Sequence, residues 1–333
     1  MKVLLYTESE KQIQKSGLGH ALNHQMKALE AQGIKYTLNP NDDYDIAHIN
    51  YYLIKSYLLA NTLKIRNIPI VYHAHSTEED FRNSFLFSNH ISPAFKKWLI
   101  TCYSLGDAIV TPTPYAKRIL VDYGITKPIY PISNGVDLTQ FKRDAYDKLE
   151  FRKHFGYSEK DKVVLGIGLY IERKGILDFI ELAKEMPQYQ FLWLGYTNKA
   201  ILPEKIVEAL DEAEKIPNLK LPGYVESDII KMALASCDVY VFPTHEETEG
   251  MPVLEAAAMR TPMIIRDIPV FEDWLIDKKN VYKASSNDEF KILIDLIINH
   301  KLKDLTDEAY LIAKERDLKI IGQELVKVYE SLL

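Results

Sequence analysis

The stretch VYVFPTHEETEGMPVLEA, residues 239–256, carries the pattern that most strongly indicates the fold. An apolar strand over residues 239–243 leads into a polar loop, and a helix follows the loop. Gly250 lets the backbone approach a ligand closely, and Pro252 suits the first turn of a helix. The stretch therefore predicts a strand–loop–helix unit with its loop at the carboxyl end of the strand.

Units of the same kind extend from this stretch in both directions. In the first half of the chain we predict strands at residues 2–6, 34–38, 45–49, 68–72, 107–111 and 129–132. In the second half we predict strands at residues 163–168, 190–194, 219–221, 238–242 and 262–266. Helical segments lie between the strands, and the first of them ends near Gly33, where a helix C-terminus favours glycine.

This alternation of strands and helices predicts parallel sheets covered by helices on both faces. The fold class is therefore α/β, with two doubly wound Rossmann-like domains joined near residues 133–137. Open sheets of this kind bind ligands at the carboxyl ends of their strands. We expect the two domains to face each other across a cleft that holds the site.

Composition narrows the possible functions. The net charge of −6 argues against a general nucleic-acid-binding protein. Residues 1–150 hold 17 basic and 15 acidic residues, against 24 and 32 in the remainder, so the first half is the more basic one. The two cysteines, Cys102 and Cys237, form no disulfide or zinc pattern, and no secretory leader or membrane-spanning apolar run is evident. These features predict a cytoplasmic enzyme.

The loop around Gly250 has the chemistry of an anion site. The N-terminus of the following helix offers free N–H groups and a positive dipole end, which favour a diphosphate. Glu247 and Glu255 flank this turn, and carboxylates are good acceptors for sugar hydroxyls, so one could hold a hexose and the other a ribose. The alternative is that these acidic residues only complement the helix dipole.

Glu247, seven intervening residues and Glu255 resemble the signature of the large family of retaining glycosyltransferases of the family 4 type, which have the GT-B fold. Other marks of the family follow in the expected order along nearly the whole chain: Ser133–Asp137 with Phe141, Leu221–Val225 and Ser236–Pro243. The resemblance implies that Glu247 contacts the donor hexose, that Glu255 contacts the nucleotide ribose, and that the stretch containing Tyr224 and Val225 contacts the nucleobase.

Two cations at the start of the helix after strand 163–168 are further candidates. Arg173 and Lys174 would stabilise a leaving diphosphate, because negative charge develops there in the transition state. The alternative is a solvated basic helix start. The family usually has an arginine directly after the strand glycine, whereas here Leu169 follows Gly168, and Arg173 is the candidate replacement.

Two candidate motifs lie in the first half. Ser16-Gly17-Leu18-Gly19 resembles the family's glycine-rich loop, with a plain tight turn as the alternative. His75 follows strand 68–72 and resembles a family histidine that contacts the donor sugar near the reaction centre. A purely structural histidine is the alternative, and a metal pair of His73 with His75 lacks a clear third ligand.

The resemblance thus implies a complete donor site and a reaction. The catalytic residues would be His75, Arg173, Lys174 and Glu247. The donor-binding residues would be Gly17, Gly19, Gly168, Arg173, Lys174, Tyr224, Val225, Glu247, Thr248, Gly250, Met251, Pro252 and Glu255. The donor would be a UDP-hexose, UDP-glucose or UDP-galactose, with no metal or other cofactor, and the leaving phosphate would take the proton of the acceptor.

The segment from residue 77 to residue 99 mixes aromatic and basic side chains. Such a segment can lie in a bilayer interface, and an amphipathic helix covering the sheet is the alternative. The segment and residues 2–6 resemble Gram-positive diglycosyl-diacylglycerol synthases, which implies a glycolipid acceptor such as glucosyl-diacylglycerol and an anionic membrane surface as partner. The candidate acceptor or membrane residues are Phe81, Arg82, Phe85, Lys96, Lys97 and Trp98.

Residues 1–138 are therefore expected to form an acceptor-binding domain, with the helix of residues 317–333 packed back on it. Residues 139–316 are expected to form the nucleotide-sugar-binding domain. The expected location is the inner face of the cell membrane, with peripheral attachment. Three alternative functions stay open: a polysaccharide or teichoic-acid glycosyltransferase with a soluble or carrier-linked acceptor, a nucleotide-sugar epimerase, and a non-catalytic GT-B partner subunit.

Overall fold

The structure is a computed structural model that describes residues 1–8 and 17–333. Ser16, the first residue of the glycine-rich motif, lies outside the described residues. The described chain contains twelve strands: β1 Lys2–Tyr6, β2 Lys35–Thr37, β3 Ile46–Ile49, β4 Ile70–His73, β5 Ala108–Thr111, β6 Ile129–Pro131, β7 Val163–Ile167, β8 Gln190–Leu194, β9 Leu219–Gly223, β10 Val239–Phe242, β11 Met263–Arg266 and β12 Tyr282–Ala284.

Helices alternate with these strands. The described helices are α1 Gly17–Glu30, α2 Ile54–Ile65, α3 Glu78–Phe81, α4 Ser88–Tyr103, α5 Pro114–Asp122, α6 Lys148–Phe155, α7 Ile176–Glu185, α8 Glu204–Ala213, α9 Ser227–Ser236, α10 Met251–Ala258, α11 Asn287–Ile298, α12 Thr306–Glu315 and α13 Leu318–Glu330. Short 3-10 turns lie at Arg143–Ala145, Glu172–Lys174, Lys199–Ile201 and Pro269–Phe271.

The strands form two six-stranded sheets, with the orders β2-β1-β3-β4-β5-β6 and β12-β11-β10-β7-β8-β9, and every pair of neighbouring strands is parallel. Eleven of the twelve strands lie where the sequence predicts them. The exception is β12, which adds an edge to the second sheet.

The chain divides into two compact units. The first unit comprises Met1–Glu79, His90–Asp137 and Glu315–Leu333, and the second comprises Asp80–Asn89 and Leu138–Lys314. The short segment Asp80–Asn89 thus clusters with the second unit although its neighbours in sequence belong to the first.

The first unit is built around the sheet of β1 to β6. The last helix, α13, packs beside α1 and buries Ile321, Leu325 and Val328 against this sheet. A parallel bridge joins Val136 to Asp317, the residue just before α13. The start of α13 is therefore held beside the end of the segment His90–Asp137. Helices on both faces and fully buried strands are what a doubly wound parallel sheet requires.

The second unit has the strand order of a dinucleotide-binding fold, with the order reversing between β7 and β10. Its core includes the fully buried Phe179, Phe191 and Trp193. The Trp193 indole N–H donates to the carbonyl of Gly168 at 2.8 Å, which fixes the loop that leaves β7. The predicted α/β class with two doubly wound sheets is confirmed.

Candidate functional site

The loops after β7 and β10 form the centre of the candidate site in the second unit. These two neighbouring strands flank the point where the strand order reverses, and ligands of open α/β sheets bind beyond the carboxyl ends of such strands. Residues 168–174 leave β7, and residues 244–250 leave β10. The two motifs singled out in the sequence are therefore adjacent in space.

Lys174 and Glu247 make direct contact in this crevice. The Lys174 ammonium forms an ion pair and hydrogen bond with Oε1 of Glu247, and the Thr244 hydroxyl donates to the same oxygen at 3.2 Å. Both charged side chains are largely buried. Burial lowers the pKa of Lys174 and the nearby Arg173 lowers it further, whereas Glu247 opposes the shift.

Arg173 is held in place by the protein itself. Its Nε–H donates to the Ser84 hydroxyl at 3.1 Å, and its Nη1 donates to the Glu246 carbonyl at 2.8 Å. The carboxylate of Glu247 lies 3.9 Å from the same Nη1. Arg173 therefore adds positive potential to the crevice while it ties the segment containing Ser84 to this loop.

The local backbone differs from the prediction at one point. Arg173 and Lys174 lie in a 3-10 turn, and the α-helix begins only at Ile176. Gly175 separates the turn from the helix with φ of 78°, and a Cβ there would overlap the carbonyl of Pro243 at the end of β10. A glycine is required at this position because the two loops approach each other too closely for a side chain.

The second carboxylate of the acidic pattern lies on α10. Gly250 precedes the helix with φ of 86°, Met251 and Pro252 form its first turn, and Glu255 follows one turn later. Burial raises the pKa of Glu255 to about 7, although the charge of Lys231 lowers it. Glu255 can therefore change its ionisation state near neutral pH.

Exposed aromatic rings lie beside the glycine that ends β9. Tyr224, a predicted donor-binding residue, follows Gly223 and is 45% exposed. Tyr196, which is not among the predicted donor-binding residues, follows the neighbouring strand β8 and is 53% exposed. Tyr196 lies edge-on to the buried Tyr170 ring, with centroids 6.4 Å apart. The pairing of β8 with β9 places the Tyr196 ring 3.8 Å from the Cβ position of Gly223, and no local motif marks Tyr196.

The predicted site residues of the first unit lie at the start of α1 and after the carboxyl end of β4. Gly17 and Gly19 lie in the first turn of α1. His75 follows β4 and stacks on His73, with ring centroids 3.8 Å apart and 4° between the planes. Its Nε2 lies 3.0 Å from Oδ1 of Asn50, a residue that the sequence reading did not single out.

Burial has a strong effect on this histidine cluster. It lowers the pKa of His48 and of His75 to about 3 and holds the pKa of His73 well below its usual range. The three imidazoles are therefore neutral at neutral pH. Among the described residues, no group of three or more histidine, cysteine, aspartate or glutamate side chains has the arrangement of a metal site.

The six candidate acceptor or membrane residues have different surroundings. Phe85 packs against the apolar core of the second unit, and Trp98 packs in the core of the first and donates its indole N–H to the Tyr52 carbonyl at 2.6 Å. Lys96 lies over the Tyr123 ring at 4.2 Å and 3.7 Å from Glu78.

The remaining three are less constrained by packing: Phe81 is half-buried, and Arg82 and Lys97 are exposed. The exposed apolar side chains of this part of the sequence are instead Leu86, Phe87 and Ile91. Within residues 1–8 and 17–333, no helix is long and apolar enough to cross a bilayer.

Comparisons with known proteins identify the family of the chain. Residues 147–315 match the family model of glycosyl transferases group 1, and residues 22–140 match that of Glycosyltransferase Family 4. A processive diacylglycerol alpha-glucosyltransferase of Acholeplasma laidlawii is 40% identical over 338 residues, which cover 100% of this chain and 99% of that protein. An alpha-galactosylglucosyldiacylglycerol synthase of Streptococcus pneumoniae is 25% identical, over 83% of this chain and 74% of that protein.

A solved structure has the same fold over its full length. The crystal structure of Anabaena HepE in complex with UDP-glucose superimposes with a TM-score of 0.78 at 18% identity, covering 99% of this chain and 100% of that one. The resemblance to the family with the acidic signature is confirmed, and so is the predicted GT-B fold. The chain belongs to the group 1 glycosyltransferases and is itself a glycosyltransferase.

Proposed function

We propose that the protein is a retaining hexosyltransferase that moves glucose from UDP-glucose to a membrane glycolipid, with glucosyl-diacylglycerol as the acceptor. The single observation that carries this proposal is the 40% identity, over the whole chain, to a processive diacylglycerol alpha-glucosyltransferase. Glucose is preferred over galactose as the donor sugar because the galactosyl relative is only 25% identical. The UDP-glucose complex of HepE supports the same donor.

The two units would divide the substrates between them. The second unit would hold the donor, with Glu255 on the ribose, Glu247 on the hexose, and the backbone at Tyr224 and Val225 on the uracil. The residues from Thr248 to Pro252 would approach the diphosphate with backbone N–H groups, because a helix N-terminus favours an anion. The first unit would hold the acceptor, and His75, Gly17 and Gly19 are the residues of this unit that the family resemblance assigns to the donor.

The reaction breaks the bond between C1 of the hexose and the β-phosphate oxygen and forms a bond between C1 and the acceptor oxygen. The acceptor would attack from the face that the diphosphate leaves, and the leaving phosphate oxygen would accept the hydroxyl proton. Lys174 and Arg173 would stabilise the charge on the leaving diphosphate. Glu247 would act by binding and electrostatics and not as a nucleophile.

We expect Glu247→Ala and Glu255→Ala to fail at different steps. Glu247→Ala should lower kcat by roughly 10²-fold or more while UDP still binds, because the hexose contact matters most as charge develops. Glu255→Ala should weaken UDP binding itself by about tenfold, the size of one lost charge-assisted hydrogen bond. Calorimetric titration with UDP and steady-state kinetics separate the two effects, and equal loss of UDP affinity in both variants would contradict the assignment.

The affinity for UDP should also depend on pH through Glu255. Its raised pKa of about 7 means that the carboxylate, the better acceptor for a ribose hydroxyl, forms only as the pH rises through neutrality. UDP affinity should therefore increase between pH 6 and pH 8 by several-fold more in the wild type than in Glu255→Gln. The phosphate groups of UDP titrate in the same way with both proteins, so their effect cancels when the two affinities are compared at each pH. Parallel pH profiles would contradict this role of Glu255.

A membrane-facing surface is supported by α2 in the first unit. Four apolar side chains on or beside this helix are 40% to 83% exposed: Leu53, Ile54, Leu58 and Ile65. Residues 46–77 contain three cations and no acidic residue. Exposed apolar groups beside lysines and arginines favour an anionic bilayer interface. The helix begins four residues after Asn50, which contacts His75. This surface therefore starts close in sequence to a residue beside a candidate catalytic side chain.

A second stretch has a similar composition. Residues 81–106 contain Arg82, Lys96 and Lys97 and no acidic residue, and Leu86 and Phe87 are exposed. We propose that α2 makes the main peripheral contact with the inner face of the cell membrane, where UDP-sugars are available.

Liposome co-sedimentation tests this surface. The double variant Ile54→Ser/Leu58→Ser should bind vesicles containing anionic lipid at least about tenfold more weakly, because each apolar side chain that inserts contributes roughly 1 kcal/mol or more. Ile292→Ser is the matched control, since Ile292 is 59% exposed on α11 of the second unit. Unchanged binding of the double variant would remove α2 from the membrane surface.

A transfer assay with a panel of acceptors tests the function. Radiolabelled UDP-glucose and UDP-galactose are each offered with diacylglycerol, glucosyl-diacylglycerol or a soluble glycan in mixed micelles containing anionic lipid. We expect label from UDP-glucose in a lipid-extractable diglycosyl product. Label only in the soluble glycan would favour a polysaccharide or teichoic-acid glycosyltransferase, and interconversion of the two donors without an acceptor would identify an epimerase.

A further inference from the structure

A buried polar cluster surrounds the predicted catalytic histidine of the first unit. Its members come from α1, from β3 and the residue that follows it, from β4 and from α13: Gln25, His48, Asn50, His73 and Tyr329. Each is between 0% and 4% exposed. Buried polar side chains are costly unless their hydrogen bonds are satisfied, so a cluster of this size calls for a specific reason.

Asn50 lies at the point of the cluster nearest His75. Its side-chain oxygen accepts a hydrogen bond from Nε2 of Gln25 at 2.7 Å and lies 3.0 Å from Nε2 of His75. An amide oxygen accepts hydrogen bonds and never donates them. With this oxygen as the acceptor, Nε2 of His75 is the donor, and the contact with Asn50 favours one tautomer of the imidazole.

The face of the same imidazole is supported by His73. The two rings are parallel within 4° at 3.8 Å. Nδ1 of His73 lies 2.8 Å from Nε2 of Gln25 and 3.1 Å from Nε2 of His48. Nδ1 of His48 lies 2.6 Å from the Tyr329 hydroxyl. The ring of His75 is thus fixed in its plane by Asn50 and across its face by His73.

We propose that Asn50 is a positioning residue for His75, which it holds as the Nε2–H tautomer in one orientation. This inference rests on the proposed function, because His75 is assigned there to the donor sugar near the reaction centre. Asn50 itself lies directly after β3, at the point where the order of the first sheet reverses between β1 and β3. A side chain there is well placed to hold a group at the carboxyl edge of the sheet.

A role in folding alone predicts a different outcome from a role in positioning. If Asn50 only fills the core, Asn50→Leu should lower the free energy of unfolding. The tautomer of His75 in the folded fraction of that variant should stay the same. If Asn50 positions His75, loss of the acceptor oxygen should shift the tautomer population of the imidazole away from the Nε2–H form. Asn50→Asp keeps an oxygen in the same place, so it should keep Nε2 of His75 protonated.

Nitrogen NMR of the full-length protein labelled with 15N-histidine tests the inference directly, with His75→Gln used to assign the signal. We expect the Nε2–H form in the wild type and in Asn50→Asp, and a mixture of tautomers in Asn50→Leu. In the transfer assay, Asn50→Leu should lower kcat at least about tenfold with KM for UDP-glucose within about twofold, and Asn50→Asp should recover part of the loss. Tyr329→Phe is the control, because it alters the same cluster at the end remote from His75.

The possible results separate this inference from the function on which it rests. An Nδ1–H tautomer in the wild type, or an unchanged Nε2–H tautomer in Asn50→Leu, would overturn the positioning role. If Asn50→Leu does not fold, the wild-type and Asn50→Asp spectra still decide the point. If the tautomer changes as expected but His75→Ala transfers glucose at the wild-type rate, Asn50 positions His75 and the catalytic assignment of His75 is the part that fails.

Discussion

Replacing Lys174 with methionine is expected to lower kcat by roughly 10²–10³-fold, because it removes a buried cation from the site where the leaving diphosphate gains charge. The same change should weaken UDP binding. It should also destabilise the fold by about 3 kcal/mol, since Glu247 is then left buried without its ion-pair partner. Steady-state kinetics, UDP titration and urea unfolding measure the three effects.

Two further variants distinguish catalysis from stability. In Lys174→Met/Glu247→Gln both charges are absent, so the stability should largely return while activity should not. Lys205→Met is the matched control, because Lys205 forms an exposed ion pair with Glu172 at 3.2 Å and surface pairs contribute little. Activity of Lys174→Met within threefold of the wild type would refute the proposed role of Lys174.

Acid should destabilise the first unit steeply through the histidine cluster. The pKa values of His48, His73 and His75 lie below the ordinary value of about 6.5, so the unfolded chain binds protons before the folded chain does. Stability is fully present above about pH 6.5 and is lost as the pH falls toward 3. The loss should reach up to roughly 4 kcal/mol per pH unit, the sum of three histidines.

Urea unfolding between pH 7.5 and pH 5 measures this slope. His48→Phe should reduce the slope by up to roughly 1.4 kcal/mol per pH unit, because one histidine of the cluster no longer titrates. His154→Asn is the control, since this histidine is exposed on α6. A slope below roughly 1 kcal/mol per pH unit in the wild type would mean that the cluster is not buried as neutral imidazoles.

Local sequence patterns predict the fold well because a doubly wound unit repeats them. Each buried parallel strand leaves an apolar run, and each loop at a carboxyl end leaves polar residues and glycines. Glu247, Gly250 and Glu255 were recognisable for this reason: the strand, the turn and the helix that position them are continuous in sequence. The edge strand β12 was missed because the polar residues 277–280, which indicate a loop, come almost directly before it.

Local sequence patterns did not predict contacts between residues that are far apart in the chain. The hydrogen bond from Arg173 to Ser84 joins residues 89 positions apart. Asn50 and Tyr329 come from opposite ends of the first unit, and nothing in their neighbours marks them as parts of one cluster. The indole N–H of Trp98, a predicted acceptor or membrane residue, donates to a carbonyl inside the first unit, and the exposed apolar side chains of α2 were not predicted.

The most direct test of the proposed reaction is the anomeric configuration of its product. Wild-type protein is incubated with UDP-glucose and glucosyl-diacylglycerol, and the purified diglycosyl lipid is analysed by NMR. A retaining glucosyltransferase must give a new α-glucosidic linkage, because the donor is itself the α-anomer, and Lys174→Met should give almost no product. A β-linked product would contradict the retaining mechanism, and the absence of any diglycosyl lipid would contradict the proposed acceptor.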